Sequence, residues 1–278
     1  MKIIHERRGF IVNYALEFNR HSKHLNDIDE IIAKYEGNEG EFRDFFAKHE
    51  NQKITISAPT YITPEFMAEI LELKKEKYNF SIRTFILPST EQRDILKQAG
   101  IPYYSVIFIK DWDDFYYHIH CGVSEVYISG PLGFELETVS AIAKKNNVKI
   151  RVIPNIAQGY EGMPALKKFF IRPEDIELYS QYIDTFELRG PHDKMDTIYE
   201  VYRKGRWFGN IRELIMEFNE NFDSKYIISY FGKKRINCGK KCLKGNRCRT
   251  CEVIDSLAQT LEKNNYVILP NKKENNNV

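Results

Sequence analysis

Apolar, β-branched and aromatic residues recur along this chain in short runs. Between them lie segments whose apolar residues return every three or four positions. Period two with β-branched and aromatic residues predicts strands, and the longer period predicts amphipathic helices. Strands are expected at 10–18, 53–59, 80–87, 103–109, 125–130, 148–154, 167–173 and 184–190. The first connection, "NDIDEIIAKYEG" (26–37), carries Ile28, Ile31, Ile32 and Tyr35 at helical spacing and predicts a helix. Thr63 followed by Pro64 marks a helix start, a hydroxyl cap and then a residue needing no N–H donor. Ser89 with Gln92 has the spacing of a capping box, and Gly100 closes that helix. Asp111 caps "WDDFYYHIHCG". Further helices are expected in "FELETVSAIAKKNN" and "EDIELYSQY".

Strands alternating with helices imply parallel strands joined by right-handed crossovers. Eight such units close into a (β/α)8 barrel, the fold class expected here; an open doubly wound sheet is the alternative. The connection "NIAQGYEGMPAL" (155–166) has no helical period and reads as a loop across the barrel mouth or in place of a helix. After residue 190 the pattern turns helical, in "KMDTIYEVYRKG", "NIRELIMEFNENF" and "SKYIISYFG", and again from Cys251. The expected organisation is a barrel over 1–190, a helical extension over 191–268 and a disordered tail over 269–278.

Composition changes this picture little. With 42% hydrophobic and 29% charged residues in 278, the chain has material for a sizeable core and a solvated surface. The charged start and the lack of any long apolar run predict neither a signal peptide nor a membrane span, hence a cytoplasmic protein. Net charge is only +2, yet it is unevenly spread. Eight Lys or Arg and no acid lie between Lys233 and Cys251, so the remainder of the chain is acidic.

That basic stretch holds four of the five cysteines: Cys238, Cys242, Cys248 and Cys251, spaced C-x3-C-x5-C-x2-C. Reduced thiols clustered so closely point to a metal rather than to disulfides. Four thiolates suit either tetrahedral zinc or a 4Fe–4S cluster, and the spacing leaves both open. The cations Lys233, Lys234, Arg235, Lys240, Lys241, Arg247 and Arg249 offset thiolate charge, and they also form a candidate contact surface for RNA or another anion. Tyr226, Tyr230 and Phe231 just before them are the nearest rings for stacking.

In a (β/α)8 barrel chemistry sits at the carboxyl ends of the strands. The expected strands place there Ser57, Thr60, Ser89, Lys110, Asp111, Ser129, Asn155, Gln158, Arg172, Glu174, Asp175, Glu187 and Arg189. No nucleophile triad, Walker sequence or H-E-x-x-H occurs, so no catalytic residue is assigned. Arg172, ahead of Pro173, has the chemistry to bind a carboxylate or phosphate through a bidentate fork, or else to close the rim on a neighbouring acid. Asn155, Gln158 and Glu187 complete the candidate substrate-binding set. His118 and His120 fall late in a helix and read as packing or surface residues.

The stretches "EVYISGPLGFELETVSAIAKKNNVKIRVIPNIAQ" and "FFIRPEDIELYSQYIDTFELRG" resemble the collagenase-like peptidase family, over about residues 50–190. That family includes proteins of tRNA and rRNA hydroxylation and of oxygen-independent ubiquinone synthesis. The resemblance implies a TIM-barrel-like core and, as in several members, a four-cysteine 4Fe–4S cluster. The family's cysteines are spread along the chain, whereas here they share one loop. Three functions are therefore expected: a modifying enzyme with an iron–sulfur centre acting on RNA or another anionic substrate, of hydroxylation type; a non-enzymatic binding or assembly module with structural zinc and a protein partner; or a hydrolase or peptidase using Glu174 or Glu187.

Overall fold

In the computed structural model of the chain the described residues are 14–17, 22–35, 39–49, 51–158, 168–207, 209–217, 256 and 260. They form nine parallel strands: β1 (Tyr14–Glu17), β2 (Glu30–Lys34), β3 (Lys53–Ser57), β4 (Phe80–Thr84), β5 (Tyr103–Ser105), β6 (Phe108–Ile109), β7 (Glu125–Ile128), β8 (Lys149–Val152) and β9 (Thr185–Glu187). Their order is β5-β4-β3-β2-β1-β9-β8-β7-β6. The two ends of that order, β5 and β6, are separated only by Val106 and Ile107. β5 pairs with β4, β6 pairs with β7, and the Ser124 N–H reaches the Tyr103 carbonyl. The sheet therefore curls back on itself into a TIM-barrel-like α/β core.

Helices follow most strands: α1 (Glu39–Lys48), α2 (Pro64–Lys75), α3 (Thr90–Gln98), α4 (Trp112–His120), α5 (Leu136–Lys145), α6 (Ile176–Tyr179), α7 (Met195–Lys204) and α8 (Ile211–Leu214). Their starts match the capping signals. The Thr63 hydroxyl accepts the Phe66 N–H, Ser89 and Gln92 form a reciprocal capping box, and the Asp111 carboxylate accepts the Asp114 N–H. Gly100, at φ +64°, takes the left-handed turn after α3.

The main core lies outside the sheet. Ile54, Ile56, Ile82, Val126, Ile128 and Ile150 face Phe66, Ile70, Leu96, Phe115, Leu136 and Val139 of the helices. The inner face is different. Alternate residues of a strand share a face, and the inward set reads Lys53, Thr55, Ser57 on β3, then Ser81, Arg83 on β4, then Glu125, Tyr127 on β7. A small interior apolar cluster of Tyr104, Tyr127, Ile153 and Ile156 fills one side.

Two expectations are corrected. The segment predicted as a helix at 26–37 contains strand β2. Glu30–Ala33 are buried on both faces, and a strand buried on both faces loses its period of two. The predicted strand at 167–173 is no barrel strand among its described residues. Phe169 makes an isolated antiparallel bridge to Gln158, and Ile171 donates to the Pro154 carbonyl, so the segment lies across the end of β8. Of the extension, α7 and the start of the second helix are present, but that helix breaks at Ile215, where the chain extends to meet Asn155 and Ala157. Ser256 and Thr260 are helical. The predicted helix at 224–232, the cysteine loop and the tail lie outside the described residues.

Candidate functional site at the carboxyl ends of the strands

The inward charges stack in two layers. The lower one centres on Arg151 of β8, which is fully buried. Its Nη2 donates to Glu30 Oε2 at 2.7 Å and to Glu125 Oε2 at 2.6 Å. Its guanidinium carbon lies 4.9 Å from the Tyr104 ring centroid, a cation–π contact. Lys53 bridges Glu30, at 2.9 Å, and Glu125. Thr55 donates to Glu30 at 2.7 Å and bonds Ser81 at 2.7 Å. Charges this deep persist only when paired and hydrogen-bonded. Burial alone would raise the Glu30 carboxyl, but Arg151 and Lys53 outweigh it and hold it at about 2. Burial would likewise lower Arg151, but Glu125 and its other neighbours push it well above the usual guanidinium range.

The upper layer, at the mouth, centres on Glu187, the last residue of β9. It accepts from the Tyr127 hydroxyl, from Arg189 Nε at 2.7 Å and from Arg83 Nη1 at 3.3 Å. Arg83 also donates to Ser57 Oγ from Nη2 at 3.2 Å. Burial would raise Glu187, but Arg189, Arg83 and Arg151 overcome it and keep the carboxyl below its ordinary value. Arg189 differs from the other two guanidiniums. Its side chain is 28% exposed, and among the described residues only its Nε has a partner. Both terminal NH2 groups are thus left with donors to spare, and the guanidinium carbon lies 5.9 Å from the Tyr127 ring centroid. The Asn155 carboxamide fixes its backbone, accepting from the Arg189 N–H at 3.1 Å and donating to the Arg189 carbonyl.

Two lysines extend this cationic rim. Lys34 ends β2 in register with Ser57, on the face that carries Glu30. Lys110 follows β6 two residues after the inward Phe108 and lies against Gly130. Both are exposed, and neither makes an ion pair among the described residues. Lys34, Arg83, Lys110 and Arg189 thus come from four different strands to one end of the barrel. Arg83, Arg151, Tyr127 and Lys34 were not singled out from the sequence. The alternation K-x-T-x-S, S-x-R and E-x-Y-x-S was the available signal, because it puts polar residues opposite the face that packs on helices.

The structure places the expected site residues unevenly. Glu187 and Asn155 are at the mouth, as an anchor for cations and a clamp on Arg189. Gln158 is buried nearby, and its side chain has no hydrogen-bond partner among the described residues. Arg172 sits before the 3-10 turn Pro173–Asp175, buried and held by Asp175 at 2.9 Å from Nε. Glu174 accepts the Trp207 N–H at 2.7 Å. Ser89 and Asp111 serve as helix caps. His118 and His120 each bond a carbonyl of α4, those of Asp114 and Tyr116. Cys238, Cys242, Cys248 and Cys251, and the cations Lys233, Lys234, Arg235, Lys240, Lys241, Arg247 and Arg249, lie outside the described residues. Among the described residues no group of three or more His, Cys, Asp or Glu is arranged to hold a metal ion, and no helix is long and apolar enough to cross a membrane.

No protein-family model matches the chain, and no curated protein matches it. Among solved structures, that of the U32 peptidase Mk0906 is similar at 11% sequence identity and a TM-score of 0.39, covering 67% of this chain and 96% of that one.

Proposed function

We propose that this protein is a barrel enzyme that takes an anionic substrate, with RNA the favoured class, at the carboxyl ends of its strands. The observation that carries the reading is Arg189. Its backbone is fixed by Asn155, its Nε is held by Glu187, and its terminal nitrogens have no hydrogen-bond partner among the described residues, at the same end of the barrel as Lys34 and Lys110. A guanidinium held in this way is preorganised for a phosphate or carboxylate oxygen pair. Tyr61 and Phe85, exposed on the loops after β3 and β4, add rings at the same end of the barrel as the cations, a combination suited to single-stranded nucleic acid.

The four-cysteine loop belongs to the same proposal. Cys238, Cys242, Cys248 and Cys251 supply the number and type of donors that a 4Fe–4S cluster or zinc requires, and the flanking cations favour the thiolate form. A cluster there would supply electron transfer to a modification reaction; zinc would hold the loop in shape. The part played by the described residues is to bind and orient the anion. The test is the affinity for a short single-stranded RNA as a function of salt. An Arg189→Met variant is expected to bind about tenfold more weakly, with a shallower salt slope. Equal affinity and slope would exclude the mouth as the phosphate site.

A further inference from the structure

Two buried polar side chains at the mouth have nothing to bond. Gln158 is 9% exposed, and among the described residues neither its Nε2 nor its Oε1 has a hydrogen-bond partner. Ser129 is 1% exposed, and its Oγ is equally alone. Buried polar groups in folded proteins are nearly always satisfied, and one left empty is destabilising. Asn155, three residues before Gln158, uses both ends of its carboxamide. The other buried atoms without a hydrogen-bond partner among the described residues are His118 Nε2 on α4 and Arg151 Nη1 in the lower charge layer, so Gln158 and Ser129 are the two such side chains that follow the carboxyl ends of strands.

Both side chains face the barrel interior. Residues 156 and 158 make bridges to Met216 and Phe169, so this run is extended and its alternate residues share a face. Ile156 packs with Tyr104, Tyr127 and Ile153, so Gln158 stands on the same face, one step nearer the mouth. Ser129 follows Tyr127 by the same two-residue step. The Arg189 guanidinium carbon lies 5.9 Å from the centroid of that Tyr127 ring. Two unsatisfied groups and the Arg189 guanidinium thus follow the adjacent strands β7, β8 and β9 at one end of the barrel, above the interior cluster.

A carboxamide offers a donor beside an acceptor, and a hydroxyl supplies either. Their complement is a planar group with acceptor and donor side by side. The exposed rings of Tyr61 and Phe85 and the cationic rim select a nucleobase over a peptide amide, since unstacked bases are held by rings and read on their hydrogen-bonding edges. We propose that Gln158 and Ser129 bind the edge of a nucleobase whose phosphate is held by Arg189. This rests on the reading of the mouth as an anion site and adds to it the part of the substrate that is recognised.

The test is calorimetric titration of the full chain with uridine and adenosine 5′-monophosphates, the free nucleosides, ribose 5-phosphate and N-acetylglycinamide. One nucleoside monophosphate is expected to bind at least about tenfold more tightly than ribose 5-phosphate, the scale of a bidentate base contact. Gln158→Met removes that advantage and leaves ribose 5-phosphate binding unchanged; Ser129→Ala reduces it several-fold. Arg189→Met weakens both phosphates equally and preserves the ratio. If ribose 5-phosphate fails to bind, the anion reading falls, and the free nucleosides decide the base subsite alone. Equal binding of base-bearing and base-free ligands overturns the proposal, as does a preference that survives in both Gln158→Met and Ser129→Ala. Tighter binding of N-acetylglycinamide than of either nucleoside overturns it too, by making the subsite one for a peptide amide.

Discussion

Arg151 of β8 stands at the centre of the lower layer of inward charges. It is fully buried and holds Glu30 and Glu125 at once, so its removal strands two carboxylates in the barrel interior. Arg151→Met is expected to cost about 3–5 kcal/mol, read as a fall in the urea midpoint; a shift under 1 kcal/mol would mean the pairs add nothing. Glu30 and Glu187 set the acid response. Glu30 is held at about 2 against an ordinary 4.5, and Glu187 is also depressed. A depressed carboxyl contributes stability that is full above its unfolded value and lost as pH falls toward the folded one. Stability should be level above about pH 5 and decline steadily from there toward pH 2. Glu30→Gln should flatten that decline in an acid-unfolding series. The sequence made Glu187 and Asn155 visible because they stand at strand ends. It drew attention to Arg172 through the adjacent proline, but Asp175 occupies that guanidinium. Arg83 and Arg151 were hidden because they sit within strands, where charge is unexpected until the inward face is known to be polar.

Helix starts were the most legible elements. Thr63, Ser89 and Asp111 all cap as their local chemistry dictates, because a cap is decided within three residues. Strands β3 and β4 and the β5–β6 run were also readable, from β-branched and aromatic alternation. β2 was not, since Ile28, Ile31, Ile32 and Tyr35 mimic a helix while tertiary contacts bury both of its faces. The Phe169–Ile171 run shows the opposite failure. It has strand composition, but its partner is the Gln158 loop rather than a neighbouring barrel strand. That packing makes a prediction of its own. A Cβ on Gly133 would stand 2.6 Å from the Phe169 ring, which also packs against Phe134. Gly133→Ala should therefore destabilise by about 1–3 kcal/mol and, by shifting Phe169, loosen the Gln158 bridge. Unchanged thermal stability together with unchanged amide exchange at Gln158 would contradict this.

At the scale of the molecule, the expected count of eight strand segments survives, although one expected member is replaced by another and one segment is split into β5 and β6. The barrel was legible because alternation of strand and helix is a long-range pattern that single misassignments do not erase. The polarity of its interior was not, because it depends on which face of each strand turns inward. The cysteine loop makes its prediction from donor chemistry alone. Protein prepared without oxygen should carry one metal centre per chain, and Cys242→Ser should lose it while the far-ultraviolet spectrum of the barrel persists. Metal-free protein with all five thiols titratable, the four of the loop and Cys121, would remove the centre from the proposal.

The central claim is that the carboxyl end of the barrel is an anion site built around Arg189. Its most direct measurement is a crystal structure of the full chain with tungstate, whose anomalous signal locates a phosphate-like anion without ambiguity. Tungstate is expected within hydrogen-bond distance of the terminal nitrogens of Arg189, with Lys34 or Lys110 turned toward it, and is expected to be absent there in Arg189→Met. Tungstate bound elsewhere, with Arg189 folded back fully onto Glu187, would contradict it.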